Sequence, residues 1–241
     1  MKKNVVLLGC SNLLGMHHAF RQVFQHTQSD AHETETCLED DYAKYTNLAV
    51  AGAGNSLIKW RLFDLLEHEL PDYVYLQFSG LIRQDFYFDK ASIENFDQSE
   101  ITTSKKHLYI RGGNYVHEKN AKSFVHILKN LSYNFYDDNL NNWHSLQDIF
   151  SAVSVLEKLE IKHNWSIYYD PINPPTENTK MEGMIAKWPA FINFSNKLSS
   201  PLNYAIDSGI DVLDGVHFGY DAFSKYLENN KSKIHLNFDD K

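Results

Sequence analysis

The sequence predicts an α/β protein whose central parallel sheet is covered on both faces. Three observations lead there. Short apolar runs alternate with helical patterns along the chain. Several runs are apolar throughout, as strands buried on both faces are. Most of them end in small or polar residues, where such sheets carry their sites.

Asn4-Val5-Val6-Leu7-Leu8 is the first run, and it exits at Gly9-Cys10-Ser11-Asn12. Leu13 to Gln25 reads as a helix with an imperfect apolar stripe. Thr46 to Val50 is the second strand, exiting through Ala51-Gly52-Ala53-Gly54. Ser56 to Glu69 repeats apolar residues at helical spacing, and Pro71-Asp72 stops it. Tyr73 to Phe78 is the third strand, with Ser79-Gly80 at its exit. Arg83 to Gly113 is polar and irregular, an insertion or long loop at the sheet's edge. Tyr115 to about Leu159 is helical, as two helices meeting near Asp137-Asp138-Asn139. Trp165 to Tyr169 is the fourth strand, ending at Asp170-Pro171. Asn173 to Ser200 is loop-rich, and Gly219 to Asn229 is a closing helix.

The 241 residues fit one domain, 1–241, with no linker and with lid-like insertions at about 83–113 and 173–200. Fifteen Phe, 14 Tyr and 4 Trp exclude a disordered chain. A net charge of −8 argues against a general nucleic-acid or anionic-membrane binder. Cys10 and Cys37 make neither a disulfide framework nor a zinc cluster. No apolar run approaches the ~18–20 residues of a membrane span. Met1-Lys2-Lys3 before Val5–Leu8 imitates a secretion signal, but an apolar core of ~7–15 residues is needed. The expectation is a cytoplasmic protein with no metal site. His17-His18 lacks ligand spacing and a third ligand. Cys10 is expected to point into the core, because neighbouring residues at a strand end face opposite ways.

Three segments carry a resemblance. Gly9-Cys10-Ser11 resembles the nucleophile block of the SGNH/GDSL hydrolase family. Asn47-Leu48-Ala49-Val50-Ala51-Gly52 resembles its second block, whose glycine lends a backbone N–H to the oxyanion hole. Asp214-Gly215-Val216-His217, followed by Gly219-Tyr220, resembles its last block, where Asp and His complete a triad. The blocks stand in the family's order. The resemblance implies a flavodoxin-like three-layer sandwich with a central parallel sheet. It also implies a catalytic set of Ser11, Asp214 and His217. Its chemistry is coherent. A serine hydroxyl needs a base to take its proton, which would be His217. Asp214 would hold the imidazole tautomer. The N–H groups of Ser11 and Gly52 would meet the oxyanion.

Two departures matter. The family's first block has Asp before the serine, where this chain has Cys10. Its third block reads Gly-x-Asn-Asp, where this chain has Phe78-Ser79-Gly80-Leu81-Ile82-Arg83. The Asn that supplies a third oxyanion donor is therefore missing, and Ser79 or Arg83 could stand in. Arg83 would suit a substrate with its own negative charge, such as a sugar or coenzyme A phosphate. The Ser-Gly-x-x-Arg segment is similar to SGNH-like proteins of bacterial surface-polysaccharide loci.

The implied activity is hydrolysis or transfer of an O-acyl group, acetyl on a carbohydrate, through an acyl-enzyme on Ser11. A hydrolase needs no cofactor. A polysaccharide O-acetyltransferase would take acetyl-CoA as co-substrate. Plainer readings stand beside each residue. Ser11 could cap a helix. Gly52 and Asp214-Gly215 could be turns. Ser79 could be a tight-turn residue, His217 a surface histidine, and Arg83 the partner of Asp85. On those readings the chain is a non-catalytic binding module, or binds a nucleotide or flavin at the same strand ends.

Overall fold

The computed structural model describes residues 2–25, 37–50, 53–81, 85–88, 101–103, 108–111, 138–168, 194–211, 219–234 and 236. The main sheet holds β1 (Lys3–Gly9), β2 (Cys37–Glu39), β3 (Ala43–Asn47), β4 (Tyr73–Phe78) and β8 (Lys162–Ile167), in the order β2-β3-β1-β4-β8. Strands β3, β1, β4 and β8 run parallel, and β2 closes the edge antiparallel to β3. With β2 set aside, the parallel strands stand second, first, third and fourth along the chain. That is the flavodoxin-like order. Lys197 makes a parallel bridge to Trp165 and takes the position beyond β8.

The helices are α1 (His17–Gln25), α2 (Asn55–Leu66), α3 (Asp138–Lys158), α4 (Pro201–Asp207) and α5 (Tyr220–Asn230). Helices α2 and α3 cover one face of the sheet, where Leu57, Ile58, Leu62, Ile149 and Val153 meet Val6, Leu8, Val74 and Leu76. Helices α1 and α5 cover the other, where Phe20 and Phe223 meet Val5, Leu7, Tyr73 and Tyr75. The fold is thus α/β, in three layers. Every residue of β4 is buried, which explains why it is apolar but for Gln77.

Some boundaries differ from expectation. Strand β3 begins at Ala43, before Thr46, because Ala43, Tyr45 and Asn47 alternate inward. The chain still follows β1 afterwards, as the N–H groups of Leu48 and Val50 donate to Leu7 O and Gly9 O. Strand β2 was not foreseen. Its turn is set by Asp40, whose carboxylate accepts from the N–H groups of Tyr42 and Ala43. The helix expected from Leu13 splits into a 3-10 turn, Ser11–Leu13, and α1. Gly15 separates them at φ 73°, a conformation open to glycine. Strand β8 starts at Lys162 and stops before Tyr168. Helix α4 was also missed, although Ser200 caps it and Pro201 opens it.

The 83–113 stretch is more than a loop. It contains β5 (Asp85–Phe88), β6 (Ile101–Thr103) and β7 (Leu108–Arg111), an antiparallel sheet of order β5-β7-β6. Of the helical reading over 115–159, the residues before 138 lie outside the described residues. So does most of 173–200, except 194–200, where Leu198 N–H donates to Trp165 O along β8.

Candidate active site

In open parallel sheets the ligand crevice forms where chain order reverses, outside the carboxyl ends of the strands. Here that point lies between β1, whose chain next runs to β3, and β4 on its other side. Gly9 is paired with Gln77. Two residues on, Ser11 and Ser79 therefore leave the sheet at the same level.

Gly9 makes the approach of these strands possible. A Cβ there would lie 2.8 Å from Gln77 O and 3.0 Å from Leu13 Cδ2. Immediately after, the chain turns: Leu13 N–H donates to Cys10 O, and Leu14 N–H to Ser11 O. Ser11 is half-buried at the head of this turn. Cys10 points inward as expected, buried and 3.9 Å from Gln77 Oε1. It is placed as a core residue.

Asn47 fastens the turn to the neighbouring strand exit. Its Nδ2 donates to Leu13 O at 2.7 Å and reaches His17 Nδ1 at 3.3 Å, while its Oδ1 accepts from Ala49 N–H. Because Nδ2 is a donor, His17 Nδ1 is assigned as acceptor and its proton sits on Nε2. His17 is fully buried, and its ring lies 4.3 Å from that of His18. Burial, then the neighbouring His18, pushes its pKa down to about 4, so it is neutral near pH 7. Both rings are buried against each other.

Ser79 is placed at the site, but its donors are engaged. Its N–H and its hydroxyl both reach Asn55 Oδ1, at 2.9 and 3.1 Å. Asn55 is the first residue of α2 and is 1% exposed. Sequence reasoning gave it no role, and neither did it give one to Asn47. The available signal was an Asn at a strand end and an Asn opening a helix after Gly54.

Gly52, Arg83, Asp214 and His217 lie outside the described residues. Their flanks are described. Ala53 N–H donates to Val50 O. Segment 212–218 leads into α5, which packs on α1 through Phe223 and Phe20. The two chain ends that carry Ser11 and the Asp214–His217 motif thus feed helices on one face. A grouping of Asp64, Glu67 and His68 has the spread of metal ligands, but it is exposed at the far end of α2.

No family model matches the chain, and no curated protein matches it. Solved structures do. The psychrotrophic esterase EstA from Pseudoalteromonas sp. aligns over 97% of this chain and 96% of its own, at 11% identity and a TM-score of 0.48. A catalytic mutant of Axe2, an acetylxylan esterase from Geobacillus stearothermophilus, aligns over 98% of this chain and 95% of its own, at 11% identity and a TM-score of 0.48.

Proposed function

We propose that the chain is a serine-dependent enzyme that hydrolyses or transfers an O-acyl group, acetyl on a carbohydrate, through an acyl-enzyme on Ser11. The observation that carries this reading is the placement of Ser11. It stands at the switch point of the sheet, on a tight strand–turn–helix passage that Gly9 alone allows. A nucleophile there projects from the crevice while the strands behind it hold still. In this reading His217 takes the hydroxyl proton and Asp214 orients the imidazole. Ser11 N–H and Gly52 N–H receive the oxyanion. Arg83 would favour a substrate bearing phosphate or another anionic group.

Water as acceptor makes the protein an esterase. A sugar hydroxyl as acceptor, with acetyl-CoA as donor, makes it an acetyltransferase. The same acyl-enzyme serves both, and exclusion of water decides between them. We assign that exclusion to the 83–113 and 173–200 segments. A cytoplasmic location belongs to the same reading, since two cysteines, Cys10 and Cys37, make no disulfide framework.

The test is a fluorophosphonate probe read by intact mass. A single adduct is expected on the native chain and none on Ser11→Ala or His217→Ala. A folded native protein that neither takes the probe nor turns over an acyl ester would overturn the reading in favour of a binding module. Adding acetyl-CoA and a sugar acceptor then separates transfer from hydrolysis.

A further inference from the structure

We propose that Asn55 supplies the third donor of the oxyanion hole, through its side-chain Nδ2. The inference rests on the acyl-enzyme reading above and deepens it. It answers the question left by the missing Asn after β4 from a different element of the chain.

The orientation of the Asn55 amide is fixed by chemistry. Ser79 N–H is a backbone donor and must meet an acceptor, so the atom it reaches at 2.9 Å is Oδ1. The Ser79 hydroxyl reinforces that assignment at 3.1 Å. Nδ2 is then turned to the other side of the amide. There it is buried and has no hydrogen-bond partner among the described residues. A buried amide donor without a partner is rare in a folded protein and calls for an explanation. A substrate oxygen is one.

Position agrees. Ser79 and Ser11 leave neighbouring strands at the same level, two residues beyond the Gly9–Gln77 pair. Adjacent strands stand about 4.8 Å apart, so an amide anchored on Ser79 lies within reach of a carbonyl attacked by Ser11. Asn55 also opens α2, a helix of 12 residues with no acidic residue in its first turn. The positive end of that helix favours negative charge at the same place.

The step is acyl transfer. Ser11 Oγ bonds to the acyl carbon and its proton passes to His217. The carbonyl π pair moves onto oxygen, and Asn55 Nδ2 donates to it beside the N–H groups of Ser11 and Gly52. When the oxyanion collapses, the ester bond breaks and the leaving alcohol takes the proton from His217. Ser79 is a positioning residue in this scheme: it holds Oδ1 so that Nδ2 faces the reacting oxygen.

Three substitutions separate the roles, with p-nitrophenyl acetate as substrate. Asn55→Asp keeps an acceptor for Ser79 but replaces the donor with an oxygen. Loss of one oxyanion donor costs ~10²–10³ in kcat, and KM should move little. Ser79→Ala keeps its N–H and should lose under about tenfold. Asn55→Ser, which offers an acceptor but cannot extend to the oxyanion, should fall with Asn55→Asp and guards against misfolding of the first variant. Retention of turnover within about tenfold by either folded Asn55 variant would overturn the inference while leaving Ser11 chemistry intact. So would a ~10²-fold loss in Ser79→Ala alone, which would make Ser79 the donor. Absence of any Ser11-dependent turnover in the native chain overturns the acyl-enzyme reading, and this one with it.

Discussion

The two faces of the sheet are built differently. On the α2–α3 face the packing is largely aliphatic, with Phe78 and Trp165 as the large rings. One prominent polar contact there, Asp148 with Ser56 and Lys59, ties α2 to α3. On the α1–α5 face the core is aromatic and hydroxylated. Tyr73 donates to Asn164 Oδ1, Tyr75 bonds Ser166, and Tyr226 donates to Ser199 O. Burial raises the pKa values of Tyr73 and Tyr226 well above the ordinary phenol range, so these groups stay neutral. An aliphatic face holds by area and tolerates small shifts. A hydrogen-bonded face fixes distances. The fixed face is the one on which α1, fed by the Ser11 turn, is fastened through Asn47 and His17.

That contrast can be broken by substitution. On the aliphatic side Leu76→Ala removes a fully buried side chain from β4. It should cost about 2–5 kcal/mol in urea unfolding, the range for a core cavity. A loss under ~1 kcal/mol would mean that face is loosely packed.

On the fixed side the next effect depends on pH. His17 has a folded pKa of about 4, below its ordinary 6.5. Between those values the unfolded chain binds the proton and the folded one does not. Stability is therefore full above pH 6.5 and falls as pH drops toward 4, by about 3 kcal/mol from this group. The difference between native and His17→Gln proteins across that window isolates it. Equal slopes would show that His17 is charged or solvated when folded.

The smallest effect tests the hydroxyl row. Tyr75→Phe should lose about 1 kcal/mol, and Ser166→Ala should add little to it in a double-mutant cycle. Fully additive losses would show that the two hydroxyls do not share a bond.

Strands β1 and β4 were legible because burial on both faces leaves them mostly apolar, Val5 to Leu8 and Tyr73 to Phe78 with Gln77 the exception, and α2 and α5 because their apolar spacing is helical. Strand β2 was not, since a three-residue edge strand has no periodicity to read. The candidate site was legible only as a local pattern, Gly9-Cys10-Ser11, and not where a contact depends on a distant partner. Asn47 finds its hydrogen-bond partner in Leu13, 34 residues away, and Asn55 in Ser79, 24 residues away. Neither Asn differs in sequence from a turn or capping residue, and only the packed sheet brings each to its partner.

Strand β2 has a consequence for life at high concentration. An open sheet edge is a template onto which another molecule can lay its own backbone and begin a polymer. Among the described residues that edge offers three, Cys37 to Glu39, and its rim carries the exposed Lys2–Glu39 ion pair. A stranger's chain seeking to extend the sheet would find a short, charged landing that ends at the Asp40 turn. Such a margin is a poor template for further strands.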